Sequence, residues 1–490
     1  MLNKKVDMNL YYINFITATS VFAYAVLYSS LSLYFTEIAG FSKQQSNCLV
    51  GIFISFNFLL HLFAGYIGGK LISNINLLGI SLVSLFVGSL SLVCLKMEYM
   101  YVGLSLFLIG CGFGVTCLNC LLTDQFEEKS SEQREKAFFI NYSILNVGFF
   151  LGFLVSGYFY SINNYRMLFL VNLIFSAISL CFFFLLQKYV KSSSNKAPIM
   201  RFTKFSQSMS IILLIGLLFL SMLSGFYFVN VTNQLILIIT ISSIMYIINQ
   251  ANKDKMNEKK IYVFLILMFS AILFWTLYFI GPIGFVFFLK NNVCHTIFGH
   301  QISPQWFMNL ESFLVIIGAP ILPHFFQLLR KKGITLSIVK KFSFALLMIS
   351  GAFFALFAGI KHADSAGLVG LGWIIIYYIL LVLGELLIAP VGYAMVGKLA
   401  PSHLQGIMMG TWLMICGVAT IFSHHISNSM NFSDTNNPLV TNNNYLLVFC
   451  KLGVYATFAG VCLFFFAKKI DFFMGKDEQN LNHMSMGVNQ

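Results

Sequence analysis

KYVKSSSNKAPIMRFTKFS, residues 188–206, is the stretch that decides how this chain is organised. Basic and rich in Ser, it is too polar to lie in a bilayer core, yet apolar runs flank it on both sides. Six such runs precede it. Two follow before a second basic stretch, ANKDKMNEKK at 251–260, and six more come after. Each is at least about 18 residues long, enough for one membrane-crossing helix. The spans read as 11–35, 48–67, 77–95, 99–122, 138–160, 167–187, 208–228, 233–250, 261–289, 305–329, 342–360, 367–397, 405–427 and 443–467. The plan is 6 + 2 + 6.

Composition agrees. The 490 residues are 58% hydrophobic and 10% charged, and mean hydropathy is +0.82. Soluble domains carry about 25% charged residues, so the chain is an all-α polytopic membrane protein. Its formal charge of +13 is one that nucleic-acid binders also show, but placement argues against that reading. With the N-terminus inside, all but six of the 30 Lys and Arg lie on the cytoplasmic side; the six are Lys43, Lys96, Arg166, Lys290, Lys361 and Lys451. This is the positive-inside bias, and it puts both ends in the cytoplasm. The chain divides into a first six-helix bundle, 1–190, a linker with a two-helix insertion, 191–260, a second six-helix bundle, 261–469, and a polar cytoplasmic tail, 470–490, expected to be disordered. The inserted pair is expected to turn near Asn230–Asn233. No cleavable signal is expected, because the first apolar run is long and lacks a small-residue cleavage site.

Chemistry is sparse inside the spans. Glu311 and Glu385 are the two carboxylates that fall within them, and an acid in lipid costs about 2.5–3.5 kcal/mol on insertion scales. Such a residue is a candidate functional group by default, although Glu311 nearer the interface would simply snorkel to water. His61 is the titratable base inside the first bundle, with a packed helix histidine as the plainer reading. Cys117 and Cys120 form a CxxC within a helix. A metal site needs more ligands, so packing accounts for them and no metal or cofactor is expected. There is no P-loop and no Ser/His/Asp constellation, so neither ATP coupling nor an enzyme is indicated. Gly281–Pro282, Pro320, Pro323, Gly384, Pro390 and Gly392 interrupt spans, as bent or closely packed helices often show.

Three stretches carry a resemblance. Asp124-Gln125-Phe126-Glu127-Glu128, followed by Arg134, Phe138-Phe139 and Asn146-Val147-Gly148, resembles the DQFEE…R…FF…INLG signature of proton-dependent oligopeptide transporters. Gly384 to Gly392 (GELLIAPVG) resembles GELxxSPxG, and continues through Lys398–Pro401 to Met408-Met409-Gly410-Thr411-Trp412, similar to KLAP…MMGxW. Phe307 to Ser312, with Ala319-Pro320, resembles FQxLNP…AP. The likeness covers most of the chain. It implies the major-facilitator fold, two six-helix bundles plus a two-helix insertion, with the substrate site near the midplane between the bundles.

The departures are equally informative. With Phe22 and Tyr24 in register, the acids of the family's ExxER motif fall on Thr17 and Ser20, and its arginines on Val21 and Tyr28. The fourth-helix lysine falls on Val115 and the Asp of the GGxxAD turn on Gly69. Phe274-Trp275 match, but the acid and Gln that usually follow fall on Phe279 and Ile280. Asn146, Glu385 and Trp412 are retained at positions that in the family contact peptide backbone, peptide amine and pocket wall. The amine-binding asparagine becomes Glu311.

The resemblance therefore implies a multi-pass transporter of the bacterial inner membrane, monomeric among its lipids, that moves small peptides by alternating access and symports protons without any other cofactor. Asn146, Glu311, Glu385, Trp412, Tyr24 and Tyr28 are its expected substrate residues. Glu311, Glu385 and His61 are candidates for proton coupling. Asp124, Glu127, Glu128 and Arg134 form a gating or structural charge set at the cytoplasmic edge, or else a solvated cluster. A cationic amine or amino-acid derivative lacking a free carboxylate is an alternative substrate, because Glu311 is gained and the usual Arg and Lys positions are lost. A transport-dead sensor is a further alternative because the relay is missing.

Overall fold

Long uninterrupted runs of Leu, Ile, Val and Phe satisfy their backbone groups within one segment, and in lipid only a helix does so. The structure, a computed structural model, describes residues 2–68, 71–94, 99–125, 131–190, 204–297, 300–333, 336–401, 404–430 and 435–487. It is helical nearly throughout, with 14 helices long and apolar enough to cross a membrane. The first six are α1 (Leu2–Glu37), α2 (Lys43–Ile67), α3 (Asn74–Cys94), α4 (Met100–Asp124), α5 (Ser131–Ser161) and α6 (Tyr165–Val190). They pack mainly on one another, through α1 with α5 and α6, α3 with α4 and α6, and α2 with α4. Small residues set the closest of these approaches: a Cβ on Gly88 of α3 would strike the backbone of Phe107, and one on Gly110 of α4 the backbone of Leu85. Such close backbone contact replaces hydrophobic drive in lipid.

The inserted pair is α7 (Lys204–Tyr227) and α8 (Val229–Lys253). It turns at Phe228, ahead of the expected Asn230–Asn233, which fall inside the first two turns of α8. The reason is tertiary: Asn233 is buried and donates towards Nε2 of His424 at 3.5 Å, so an amide read as a turn signal is a packing contact instead. α7 lies against α2 and α4, while α8 lies against α14 and α9. Outer residues such as Leu213, Leu217, Leu235 and Ile238 are exposed, as a lipid-facing surface requires.

The second set begins with α9 (Glu258–Ile280), passes through a π-helical turn at Gly281–Phe285, and continues as α10 (Val286–Asn291). Pro282 supplies no N–H and widens the turn, so the expected interruption at Gly281–Pro282 is real but does not end the span. A two-stranded ribbon, β1 (Thr296–Ile297) with β2 (His300–Gln301), leads into α11 (Pro304–Lys331). Then come α12 (Ile338–Lys361), α13 (Leu371–Leu399), α14 (Gln405–Met430) and α15 (Pro438–Gly487). α11 and α13 run on through Pro320 and Pro390. The tail expected to be disordered extends α15 to Gly487; after Asp471 it contains helix formers and no Pro, so nothing in it stops the helix.

The two six-helix sets meet along two lines, α2 against α14 and α5 against α11. Ser55 donates to the Gly417 carbonyl at 2.7 Å and is paired with Thr420, and Asn47 donates to Asn428 at 3.0 Å. On the other line, Ser303 donates to the Gly157 carbonyl at 2.6 Å and Trp306 Nε1 to the Leu154 carbonyl at 3.0 Å.

Candidate functional site

Between the two sets lies a cavity of about 290 Å³. Helical periodicity builds its walls. On α1, Ser20, Tyr24 and Tyr28 recur every four residues and share one face; on α2, Asn57 and Phe58 with His61 lie within about one turn of each other, and on α5, Tyr142, Asn146, Phe149 and Phe153 follow a three- or four-residue spacing. α9 brings Trp275, Tyr278 and Phe279, α11 brings Glu311 and Ser312, α13 brings Glu385 and Ala389, and α14 brings Trp412 and Cys416. Seven residues singled out from sequence, Tyr24, Tyr28, His61, Asn146, Glu311, Glu385 and Trp412, therefore face one space.

Glu311 does not snorkel. It lines the cavity and accepts a hydrogen bond from the Tyr278 hydroxyl. Glu385 is buried, and its Oε1 accepts from the Tyr142 hydroxyl at 3.3 Å. That bond joins α5 of the first set to α13 of the second. Among the described residues, Oε2 of Glu385 is buried with no hydrogen-bond partner, and so is Nε1 of Trp275. A carboxylate oxygen and an indole N–H held in this way are an unused acceptor and an unused donor in the same cavity. Buried polar atoms are normally satisfied, so both are free to meet a ligand.

The remaining predicted residues have definite local ties. Asn146 donates to the Tyr142 carbonyl at 3.0 Å, one turn back on its own helix. His61 Nδ1 lies 2.8 Å from the Gly112 carbonyl; a carbonyl only accepts, so Nδ1 carries the proton and Nε2 is the acceptor of the neutral ring. Trp412 is buried, its indole lying where a Cβ on Gly392 would be, which explains a glycine at that point of α13. Thr17 and Ser20 spend their hydroxyls on the carbonyls of Ile13 and Ile16. Val21, Tyr28, Val115 and Phe279 all line the cavity, so the apolar replacements found in the motifs are replacements within the site itself.

The cytoplasmic charge set lies largely outside the described residues. Asp124 ends α4, half-buried, and Arg134 lies in the first turns of α5. Glu127 and Glu128 lie outside the described residues, as does the side chain of Arg134. Among the described residues no group of His, Cys, Asp or Glu could hold a metal ion.

Sequence reasoning missed Tyr142, Tyr278, Trp275 and Asn57 as members of the site. Tyr142 could have been found from its place one turn before Asn146, and Tyr278 from its place beside Phe279, where the matched motif loses its acid. It also missed two groups at the outer end of the seam. Glu37, the last residue of α1, pairs with Lys290 of α10 and accepts from Tyr160 at 3.1 Å and Tyr165 at 3.3 Å.

Residues 70–448 match the sequence profile of the POT family. The chain is 26% identical over 456 residues to dipeptide and tripeptide permease A of Salmonella typhimurium, covering 92% of this chain and 90% of the permease. It is 26% identical over 455 residues to the permease of the same name from Escherichia coli, with the same coverage. Among solved structures, a peptide transporter POT in complex with sulfate superposes with a TM-score of 0.83 at 20% identity, covering 95% of each chain. A POT family transporter in complex with 5-aminolevulinic acid superposes with a TM-score of 0.81 at 18% identity, covering 94% of this chain and 96% of the other. These likenesses establish the major-facilitator fold. With 14 spans and bacterial permeases as relatives, this is a multi-pass protein of the inner membrane, and by its sequence the chain belongs to the POT family.

Proposed function

We propose that this protein is a secondary transporter of di- and tripeptides that works by alternating access and is driven by a proton gradient. The observation that carries the reading is a cavity between the two helix sets that Tyr24, Tyr28, Asn146, Glu311, Glu385 and Trp412 all line. A peptide's ammonium group sits against Glu311 and Glu385, Trp412 forms the wall, and Trp275 Nε1 donates to a peptide carbonyl. Rocking of the two sets about this site exposes it to one side at a time. The outer end of the seam is closed here by Glu37 with Lys290 and by the contacts of Ser303 and Trp306.

Proton movement falls to the acids that remain. Thr17 and Ser20 cannot ionise, and both are satisfied by their own helix. Glu311 and Glu385 line the cavity beside tyrosine hydroxyls and are the groups placed to take up and release a proton as a charged substrate arrives and leaves. His61 presents Nε2 as a further protonation site.

Uptake of labelled di- and tripeptides into liposomes containing the purified protein, with and without an imposed pH gradient, tests this. Accumulation that collapses when the gradient is dissipated is the expected result. Absence of flux for every peptide, with the protein folded, overturns it. Thermal stabilisation by peptides without any flux would instead identify a sensor.

A further inference from the structure

The charge of the cavity is one-sided. Two carboxylates line it, and among its described residues there is no Lys or Arg. Both acids come from the second helix set, on α11 and α13. The facing wall, from α1, α2, α4 and α5, offers Val21, Val115, Phe149 and Phe153, and its polar groups, Ser20, Asn57, Asn146, His61 and the tyrosine hydroxyls, include no Lys or Arg. His61 brings no cation to that wall in its neutral form. Its Nδ1–H is committed to the Gly112 carbonyl, and Nε2 is then a lone pair that repels an anion.

A zwitterionic peptide has a charge at each end, and only one end finds a partner. Its ammonium group has the free Oε2 of Glu385 and the carboxylate of Glu311, with the faces of Tyr28 and Trp275 nearby for cation–π attraction. Its carboxylate would meet only neutral groups there, with no counter-charge, and an unpaired buried charge is strongly disfavoured. We propose that the preferred substrate is a peptide-like cation without a free carboxylate, such as a C-terminally amidated dipeptide. This rests on the peptide-transport reading above and narrows it by charge.

The test compares Ala-Ala, Ala-Ala-amide and N-acetyl-Ala-Ala for thermal stabilisation of the purified protein and for uptake into liposomes. The amide is expected to bind at least about tenfold tighter than the free dipeptide, or about 1.4 kcal/mol, and the acetylated peptide not to compete. Val115→Lys, and separately Val21→Arg, each place a cation on the facing wall and are expected to shift the preference towards the free dipeptide. The melting temperature of each variant shows that it is folded, and having two variants covers the loss of one. Equal or tighter binding of free Ala-Ala by the wild-type protein overturns the proposal and leaves the peptide reading standing. If no di- or tripeptide in any form is bound or transported, the peptide reading itself falls, and this proposal with it.

Discussion

Glu37 at the end of α1 and Lys290 at the end of α10 form an ion pair across the seam between the two helix sets, with the hydroxyls of Tyr160 and Tyr165 on the same carboxylate. About a third of Lys290 remains exposed, so the pair is worth about 1 kcal/mol at most by comparison with other partly exposed pairs. That is enough to matter for a conformational equilibrium. Glu37→Gln or Lys290→Met is expected to raise the outward-open population about fivefold, measured as the distance distribution between spin labels on the outer ends of α1 and α10. High salt should mimic part of the effect in the wild type and none of it in the variants.

Tyr142→Phe removes the hydroxyl that reaches Glu385 from the opposite helix set, while Tyr278→Phe removes the bond to Glu311 within a single set. Hydrogen bonds to a charged group contribute about 1.5–3 kcal/mol. Both variants are expected to lower substrate affinity about tenfold or more. Only Tyr142→Phe should also change how the two sets are distributed between open and closed, so the same label pair separates a binding role from a bridging one.

The indole of Trp412 occupies the space beside Gly392 that a side chain would need. Gly392→Ala is expected to cost about 1–3 kcal/mol through overpacking, lowering the melting temperature by several degrees. Trp412→Phe in the same chain makes room again, so the double variant should melt higher than the sum of the two single effects. Strict additivity would mean that the two residues do not compete for this space.

His295, in the external connection between α10 and α11, is kept below the ordinary imidazole value of 6.5 by burial, with the nearby Lys290 charge adding to it and a hydrogen bond to the Leu289 carbonyl opposing. The unfolded chain therefore binds a proton here more readily than the folded one. The stability that this residue contributes is complete above 6.5 and falls as the pH drops through and below that value. Wild-type protein should lose more melting temperature between about pH 7.5 and about pH 5.5 than His295→Gln does. Identical losses would remove His295 from the external pH response.

The spans were legible because a bilayer imposes a length, and the Lys and Arg bias assigned their ends. The site was legible where a motif fixed register: Glu311, Glu385, Asn146 and Trp412 all reach the cavity from helices whose spacing the sequence states. What could not be read was which polar groups face each other across the seam. Tyr142 and Tyr278 look like any tyrosine in an apolar span until α5 meets α13 and α9 meets α11. Glu37 and Lys290 look like solvated helix ends. Asn233 has the composition of a turn, and only its contact with His424 makes it part of the core.

At the π-helical turn, the carbonyls of Pro282 and Ile283 accept the Ser32 hydroxyl at 2.7 and 3.2 Å, so the second helix set's share of this contact is made by main chain alone. A carbonyl oxygen has no ionisation and is kept by every L-amino acid. This portion of the closure is thus indifferent to pH, and exchanging side chains at 282 or 283 leaves its oxygens in place. It can be weakened directly from one side only, at Ser32.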